Sequence, residues 1–335
     1  MRLELIATAT FGLEAVVKRE IEQLGYRILK TEDGKVTYMG DERAIVRSNL
    51  WLRSADRVLL KMAEFEAREF EELFQRTKAL DWEQLVPLDG KFTVTGTSVK
   101  SRLHSVPACQ KIVKKAIVEK LKEFYDVETF PETGAQYTVK VTILKDRVTL
   151  TIDTSGAGLH KRGYRQADVA APIKETLAAA LVTLSRYRGK DPFCDPFCGS
   201  GTIPIEAALI AKNRAPGLDR SFAAQKWKNM DSKLWLEAGD EAMDKEFHGH
   251  YDIWGGDIAP AAVELARHNA ELAGVEDCIH FEVADAGKFH RDSEYGQLVT
   301  NPPYGERLLE KKEAEDLYRM FGAALRDLPP KWRVL

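Results

Sequence analysis

From Pro172 onward, short apolar runs of strand type alternate with longer segments at helical spacing, and no other feature of the chain narrows its fold as far. The segments are helix Pro172–Arg186, strand Pro192–Cys194, helix Ile203–Lys212, strand Tyr251–Gly255, helix Ala259–Ala273, strand Ile279–Val283, strand Leu298–Thr300, helix Lys312–Leu325 and strand Trp332–Leu335. Repeated β-α units build a parallel sheet with helices on both faces. The expected class is therefore α/β and Rossmann-like, with ligands bound beyond the carboxyl ends of the strands.

The preceding half reads differently. Strand Arg2–Ala7, helix Leu13–Leu24, strands Tyr26–Thr31 and Lys35–Met39 about the turn Asp33-Gly34, and helix Asp41–Asn49 make a small α+β unit. A charge-rich stretch from Leu59 to Phe74 and the turn Pro87-Leu88-Asp89-Gly90 lead into a second α+β unit: strand Phe92–Gly96, helix Pro107–Phe124, and a strand pair, Gln136–Leu144 with Arg147–Asp153. Ser155-Gly156-Ala157-Gly158 marks the junction. The expected units are 1–58, 59–155 and 156–335.

Composition excludes several classes. The longest apolar runs, such as Leu177 to Val182, fall far short of the roughly 20 residues that span a bilayer, and the amino terminus has no apolar signal core. A soluble, cytoplasmic protein is expected. The four scattered cysteines suit a reducing compartment, and Cys194 with Cys198 lack a second ligand pair for zinc, so no metal is expected. The net charge of −3 divides unevenly: residues 1–165 carry 28 Lys+Arg against 24 Asp+Glu, and the remainder carries 21 against 28. The first half is the better polyanion binder. Within it, Lys100, Arg102, Lys111, Lys114, Lys115, Lys120 and Lys122 are opposed only by Glu119, a density that suits phosphates and equally a solvated helix face. His160-Lys161-Arg162-Gly163-Tyr164-Arg165 mixes cations with an aromatic ring, as phosphate and stacked-base contacts require, although a linker paired to its neighbours has the same composition.

Three strand ends carry the chemistry. Asp195-Pro196-Phe197-Cys198-Gly199-Ser200-Gly201-Thr202 joins a strand to a helix; Gly199 and Gly201 permit positive φ and close backbone approach, and the helix offers free N–H groups. This is neither the Gly-Lys-Ser/Thr phosphate loop nor GxGxxG. Asp257 and Asp285 follow the next two strands, where carboxylates accept bonds from ribose hydroxyls and from an adenine amine. The fourth strand ends in Thr300-Asn301-Pro302-Pro303-Tyr304-Gly305. Two successive prolines remove backbone donors and hold the loop extended, so the Asn301 and Pro302 carbonyls stay free to accept. An exocyclic NH2 needs such acceptors to localise its lone pair, and Tyr304 offers a ring on which an extruded base can stack.

This set resembles the motifs of class I amino-methyltransferases, and Leu159–Arg165 with Pro172-Ile173-Lys174-Glu175 and Asn301–Leu308 narrows the resemblance to the bacterial THUMP-domain 23S ribosomal RNA guanine-N2 methyltransferases. The resemblance implies a ferredoxin-like unit and a THUMP domain ahead of the catalytic domain, and S-adenosylmethionine as cofactor. It also implies cofactor contacts from Lys174, Glu175, Asp195, Pro196, Gly199, Gly201, Thr202, Asp257, Ile258, Asp285, Ala286 and Asn301. Asn301, Pro302, Pro303 and Tyr304 would hold the target base, and Lys100, Arg102, Lys111, Lys114, Lys115, Lys161, Arg162, Tyr164 and Arg165 would face RNA, ribosomal RNA above all. In that family the fold continues past the fifth strand with a helix and an antiparallel strand pair. Direct transfer from the sulfonium to the base nitrogen is expected, without a covalent enzyme intermediate or a metal. Transfer RNA as substrate, an adenine-N6 DNA methyltransferase and a non-catalytic RNA-binding assembly factor are the other readings. The segment Pro216–Phe247, with Trp227 and Trp235, is expected to shape the pocket entrance.

Overall fold

A computed structural model describes residues 2–165, 172–303 and 311–335. They form two compact units: Met1–Leu50, Ala55–Gly158 and Ser221–Ala238 make the first, and Trp51–Ser54, Leu159–Arg220 and Gly239–Leu335 the second.

The first unit is built on one seven-stranded sheet. Its elements are β1 (Leu3–Ala9), α1 (Glu14–Gln23), β2 (Arg27–Glu32), β3 (Lys35–Gly40), α2 (Glu42–Trp51), β4 (Ala55–Glu66), α3 (Phe70–Lys78), β5 (Lys91–Val99), α4 (Val106–Tyr125), β6 (Gln136–Leu144) and β7 (Arg147–Asp153). The strand order is β2-β3-β1-β4-β7-β6-β5. The boundary expected at residue 58 falls inside β4, a 12-residue strand that pairs with β1 (Leu5 opposite Leu60) and with β7 (Leu60 opposite Ile152). Two α+β units expected side by side thus share a sheet. Along β6, Tyr137, Val139, Val141 and Ile143 alternate inward, the period-2 pattern of a strand with one buried face. Only β5 and β6 run parallel, since α4 crosses between them. Pro107 opens α4 at a position where its missing N–H loses nothing, and Asp126 ends it in the left-handed conformation. That helix buries Cys109, Val113, Ala116, Ile117 and Leu121 and leaves Lys111, Lys114 and Lys115 exposed.

Residues 221–238 belong to this unit through aromatic packing. Trp227 stacks on Tyr137 at 5.1 Å and donates its Nε1–H to the Gln136 carbonyl, while Lys228 pairs with Asp89 at 2.7 Å. None of the residues Pro216–Phe247, the insert expected to shape the pocket entrance, is among those that line the cavity described below.

In the second unit, α5 (Glu175–Leu184), β8 (Phe193–Asp195), α6 (Thr202–Ala211), β9 (Ile253–Asp257), α8 (Pro260–Leu272), β10 (Ile279–Val283), β11 (Tyr295–Leu298), α9 (Lys311–Arg326) and β12 (Lys331–Val334) form a five-stranded parallel sheet with its helices; α7 (Ser232–Asp244) crosses the boundary between units. The order β10-β9-β8-β11-β12 reverses direction between β8 and β11, and the crevice of such a sheet opens there. Helix α6 is buried nearly all round, consistent with its run of Ile and Ala, and it packs with Phe193, Ile253, Ala266 and Phe281 in one apolar core. No described helix is long and apolar enough to cross a membrane.

Candidate functional site

The carboxyl ends of β8, β9, β10 and β11 converge on a cavity of about 580 Å³, within the usual range for small-molecule sites. Pro196, Phe197, Cys198, Gly199, Ser200 and Thr202 line it from the β8–α6 turn, Asp257 and Ile258 from the end of β9, Asp285 and Ala286 from beyond β10, and Asn301, Pro302 and Pro303 from beyond β11. Gly199 (φ +51°) and Gly201 (φ +82°) take conformations that L side chains avoid, and so bend the chain from β8 into α6. That bend opens α6 at the edge of the cavity, which Thr202 and Ile203 line and where the first-turn N–H groups have no carbonyl of their own helix to satisfy them.

The acidic groups are held in place. Asp257 accepts the Gly199 N–H at 3.0 Å and the Ala259 N–H at 2.9 Å, one on each oxygen. Asp285 takes the Gly287 N–H on Oδ1 at 2.9 Å, capping a short turn. Asp195 is 1 % exposed and accepts two hydrogen bonds on the same oxygen, from the Thr300 hydroxyl at 2.6 Å and the Phe197 N–H at 3.1 Å. Burial pushes its carboxyl up to about 7; the two hydrogen bonds oppose that rise and the charge of Asp257 adds to it. The Cys198 thiol beside them is driven upward by the same burial and the same two carboxylates, which leaves it an inert packing group.

Helix α9 completes the wall with Glu313, Asp316, Leu317 and Met320. Sequence reading found the helix but not its part in the cavity; the spacing 313, 316, 317, 320 on one helical face was the signal. Two contacts tie α9 to the loops it faces. Tyr318 donates its hydroxyl to the Pro303 carbonyl at 2.9 Å, and Phe321 meets Phe197 edge-on at 5.0 Å.

Nine of the expected cofactor contacts line the cavity: Asp195, Pro196, Gly199, Thr202, Asp257, Ile258, Asp285, Ala286 and Asn301. Three do not. Lys174 is an exposed residue preceding α5, and Glu175 is buried against Arg165 at 3.1 Å; Pro172 and Ile173, two residues earlier, face the cavity instead. Gly201 lies behind the lining, where a Cβ would come within 2.9 Å of the Ala266 Cβ, so it serves helix packing. The expected RNA-facing set divides. Lys100, Arg102, Lys111, Lys114, Lys115 and Lys161 are exposed. Arg162 and Tyr164 are corrected to interior residues: the Arg162 guanidinium reaches both Glu206 oxygens and the Leu159 and Arg53 carbonyls, and the Tyr164 hydroxyl donates to Glu206 at 3.1 Å. Glu206 sits on the all-buried α6 and needs those partners. Arg165 is turned inward, to the Ile173 carbonyl and Glu175. Tyr304 lies outside the described residues.

The lining suits S-adenosylmethionine. Among its described residues are five carboxylates, from Asp195, Asp257, Asp285, Glu313 and Asp316, and neither Lys nor Arg, so a ligand of net positive charge is matched. Hydroxyl and amine donors find the strand-end acids, and Phe197, Ile258, Leu317 and Met320 supply apolar surface for a purine.

Comparison with known proteins agrees. An RMKL-like methyltransferase domain matches residues 162–335, a RlmL ferredoxin-like domain residues 4–59, and a THUMP domain residues 67–153. "Putative RNA methyltransferase YpsC" of Bacillus subtilis (strain 168) is 51% identical over 330 residues, 97% of this chain and 85% of the relative. A crystal structure from Listeria monocytogenes str. 4b F2365, titled a "predicted N6-adenine-specific DNA methylase", is 51% identical with a TM-score of 0.96, covering 100% of this chain and 88% of that one. SMU.472, described as "a putative methyltransferase complexed with SAH", is 43% identical with a TM-score of 0.94, covering 99% and 88%. The chain belongs to the RMKL-like methyltransferase family and is an S-adenosylmethionine-dependent methyltransferase with ferredoxin-like and THUMP domains ahead of its catalytic domain.

Proposed function

We propose that the protein methylates the exocyclic amine of a base in RNA, guanine N2 in 23S ribosomal RNA. The observation that carries this reading is the Asn301–Pro303 loop, whose acceptors border the cavity that the three strand-end carboxylates share. Bound S-adenosylmethionine supplies an electrophilic methyl on a sulfonium. Asp195, Gly199, Thr202 and the α6 amino terminus take its methionine end, Asp257 its ribose, and Asp285 with Ala286 its adenine ring. The Asn301 side-chain carbonyl and the Pro302 carbonyl accept the two N–H bonds of the target amine and so turn its lone pair toward the donor. Tyr318 fixes the next carbonyl, and the prolines forbid the loop from closing on its own acceptors. Positioning of this kind contributes roughly 7–11 kcal/mol to a two-substrate reaction. The methylated amine then loses its proton to water or through Asn301.

Guanine is favoured over adenine by the acid-lined wall. Glu313 and Asp316 line the same cavity, and in this reading they meet the Watson–Crick edge of the extruded base, where a carboxylate accepts the N1–H of guanine but faces a lone pair at N1 of adenine. RNA is favoured by the THUMP domain, by the name of the Bacillus relative, and by the exposed Lys100, Arg102, Lys111 and Lys114, which make no ion pair among the described residues. Labelled S-adenosylmethionine offered with 23S ribosomal RNA or duplex DNA, followed by digestion and nucleoside mass spectrometry, tests the reading. N2-methylguanosine from the RNA is expected; label recovered as N6-methyl-2′-deoxyadenosine from DNA would overturn it.

A further inference from the structure

The fold brings the donor and acceptor halves of the cavity into direct contact at one bond that none of the motifs accounts for. Thr300 follows β11, and the register there is tightly set: Leu298 stands opposite Cys194 in the parallel β8–β11 pair, the Val299 N–H bonds to the Cys194 carbonyl at 3.1 Å, and the Thr300 N–H bonds to the Leu335 carbonyl at 3.1 Å. With its backbone pinned, the half-buried Thr300 side chain reaches across to Asp195 at 2.6 Å. Both hydrogen bonds that Asp195 accepts fall on Oδ1, and among the described residues none falls on Oδ2.

We propose that Thr300 is a positioning residue for the cofactor site: its hydroxyl holds one oxygen of Asp195, leaves the other to the ammonium of the cofactor's methionine end, and ties the amine-acceptor loop to the donor pocket. This rests on the assignment of Asp195 to the methionine end.

The physical argument concerns charge in a buried place. Asp195 is walled from water, and the groups that face it are unhelpful to an anion: Asp257 from the end of β9 and Cys198 from its own turn, with Asp285 and the α9 acids Glu313 and Asp316 on the same cavity. Among the described residues, the Thr300 hydroxyl and the Phe197 N–H are the groups that favour the ionised form, and a hydrogen bond donated to a carboxylate stabilises that form over the protonated acid. The ammonium requires the ionised form. Removing the hydroxyl makes ligand binding wait for a higher pH, because the same carboxylate must ionise with one donor fewer. Thr300 is also the residue before Asn301, so the bond that steadies Asp195 steadies the first acceptor of the target amine.

The test is S-adenosylhomocysteine affinity by calorimetry between about pH 6 and 9, for wild type, Thr300→Val, Thr300→Ser and Asp195→Asn. The ligand's own ionisation cancels in the ratio of wild type to variant. For Thr300→Val the expected loss is about tenfold near pH 6.5, one unit of displaced titration, shrinking to less than twofold near pH 8.5. Thr300→Ser keeps the hydroxyl and should follow wild type throughout, which separates the bond from folding damage at this position. A Thr300→Val loss that is the same at every pH, or no loss, overturns the proposal while Asp195→Asn still binds weakly. Asp195→Asn that binds as tightly as wild type overturns the underlying assignment instead.

Discussion

Asp195 enters the fold as an acid that resists ionisation, and this has a measurable sign. Its folded value, about 7, lies above the ordinary carboxyl value of 3.8. The folded state without ligand therefore binds more protons than the unfolded state between those limits, and the contribution of Asp195 to stability is complete below about pH 4 and lost as pH rises through 7. The melting temperature of wild type minus that of Asp195→Asn should fall from pH 5 to pH 8, and saturating S-adenosylhomocysteine should flatten the fall; a difference independent of pH contradicts the burial argument. At Asn301 the expectation is a change of rate without a change of seat. Asn301→Ala should lower methyl transfer at least about 100-fold, the scale at which one preorganised group acts on a developing charge, while cofactor affinity stays within threefold. Single-turnover rates and calorimetry on the same preparation check both. Asp195, Asp257, Asp285 and Asn301 were legible because each closes a readable apolar strand. Arg162 and Tyr164 were not: their partner Glu206 lies over 40 residues away, and flanking glycines and cations imitate an exposed linker.

Among the elements, α6 carries the heaviest constraint. It is apolar on every face except for Glu206, and a carboxylate at 0 % exposure in such a helix implies a cation brought to it from elsewhere in the chain. Neutralising Glu206 in place, as Gln, leaves the Arg162 guanidinium buried without its counter-charge and should reduce unfolding free energy by about 3–5 kcal/mol, read from denaturant midpoints at unchanged m-value. A loss under 1 kcal/mol would mean that water enters the site. Apart from α7, which was read only as part of an insert, the helices and strands after Pro172 were readable to within a few residues, since a parallel sheet turns each strand into an apolar run bounded by turn residues. Strand β4 was not. Its burial is only partial beyond Leu60, and Lys61, Glu64 and Glu66 on its far half give it the composition of a charged loop. What makes it a strand is pairing on both sides, which no local pattern reports.

At the level of the whole molecule, the surplus of positive charge in residues 1–165 has a consequence in salt. If the exposed lysines of α4 neutralise phosphates, replacing Lys111, Lys114 and Lys115 by Ala should reduce the slope of log affinity against log salt by about 0.7 for each contact to single-stranded RNA. Filter binding across a salt series reads this directly, and parallel lines for wild type and variant would remove α4 from the interface. Compositional breaks near residues 58 and 155 suggest three consecutive modules, in step with the domain matches at 4–59, 67–153 and 162–335, whereas by contacts the first two form one unit that takes up residues 221–238 as well, which no local composition reports. The shared strand β4 gives that arrangement a further meaning. A ferredoxin-like region and a THUMP domain that each owned a sheet could be exchanged between proteins as interchangeable parts; here a cut between them severs hydrogen bonds on both flanks of one strand and bares two new edges open to foreign pairing. A fragment that ends within Ala55–Glu66 should therefore be recovered in the insoluble fraction, and a soluble, folded fragment of that kind would contradict this.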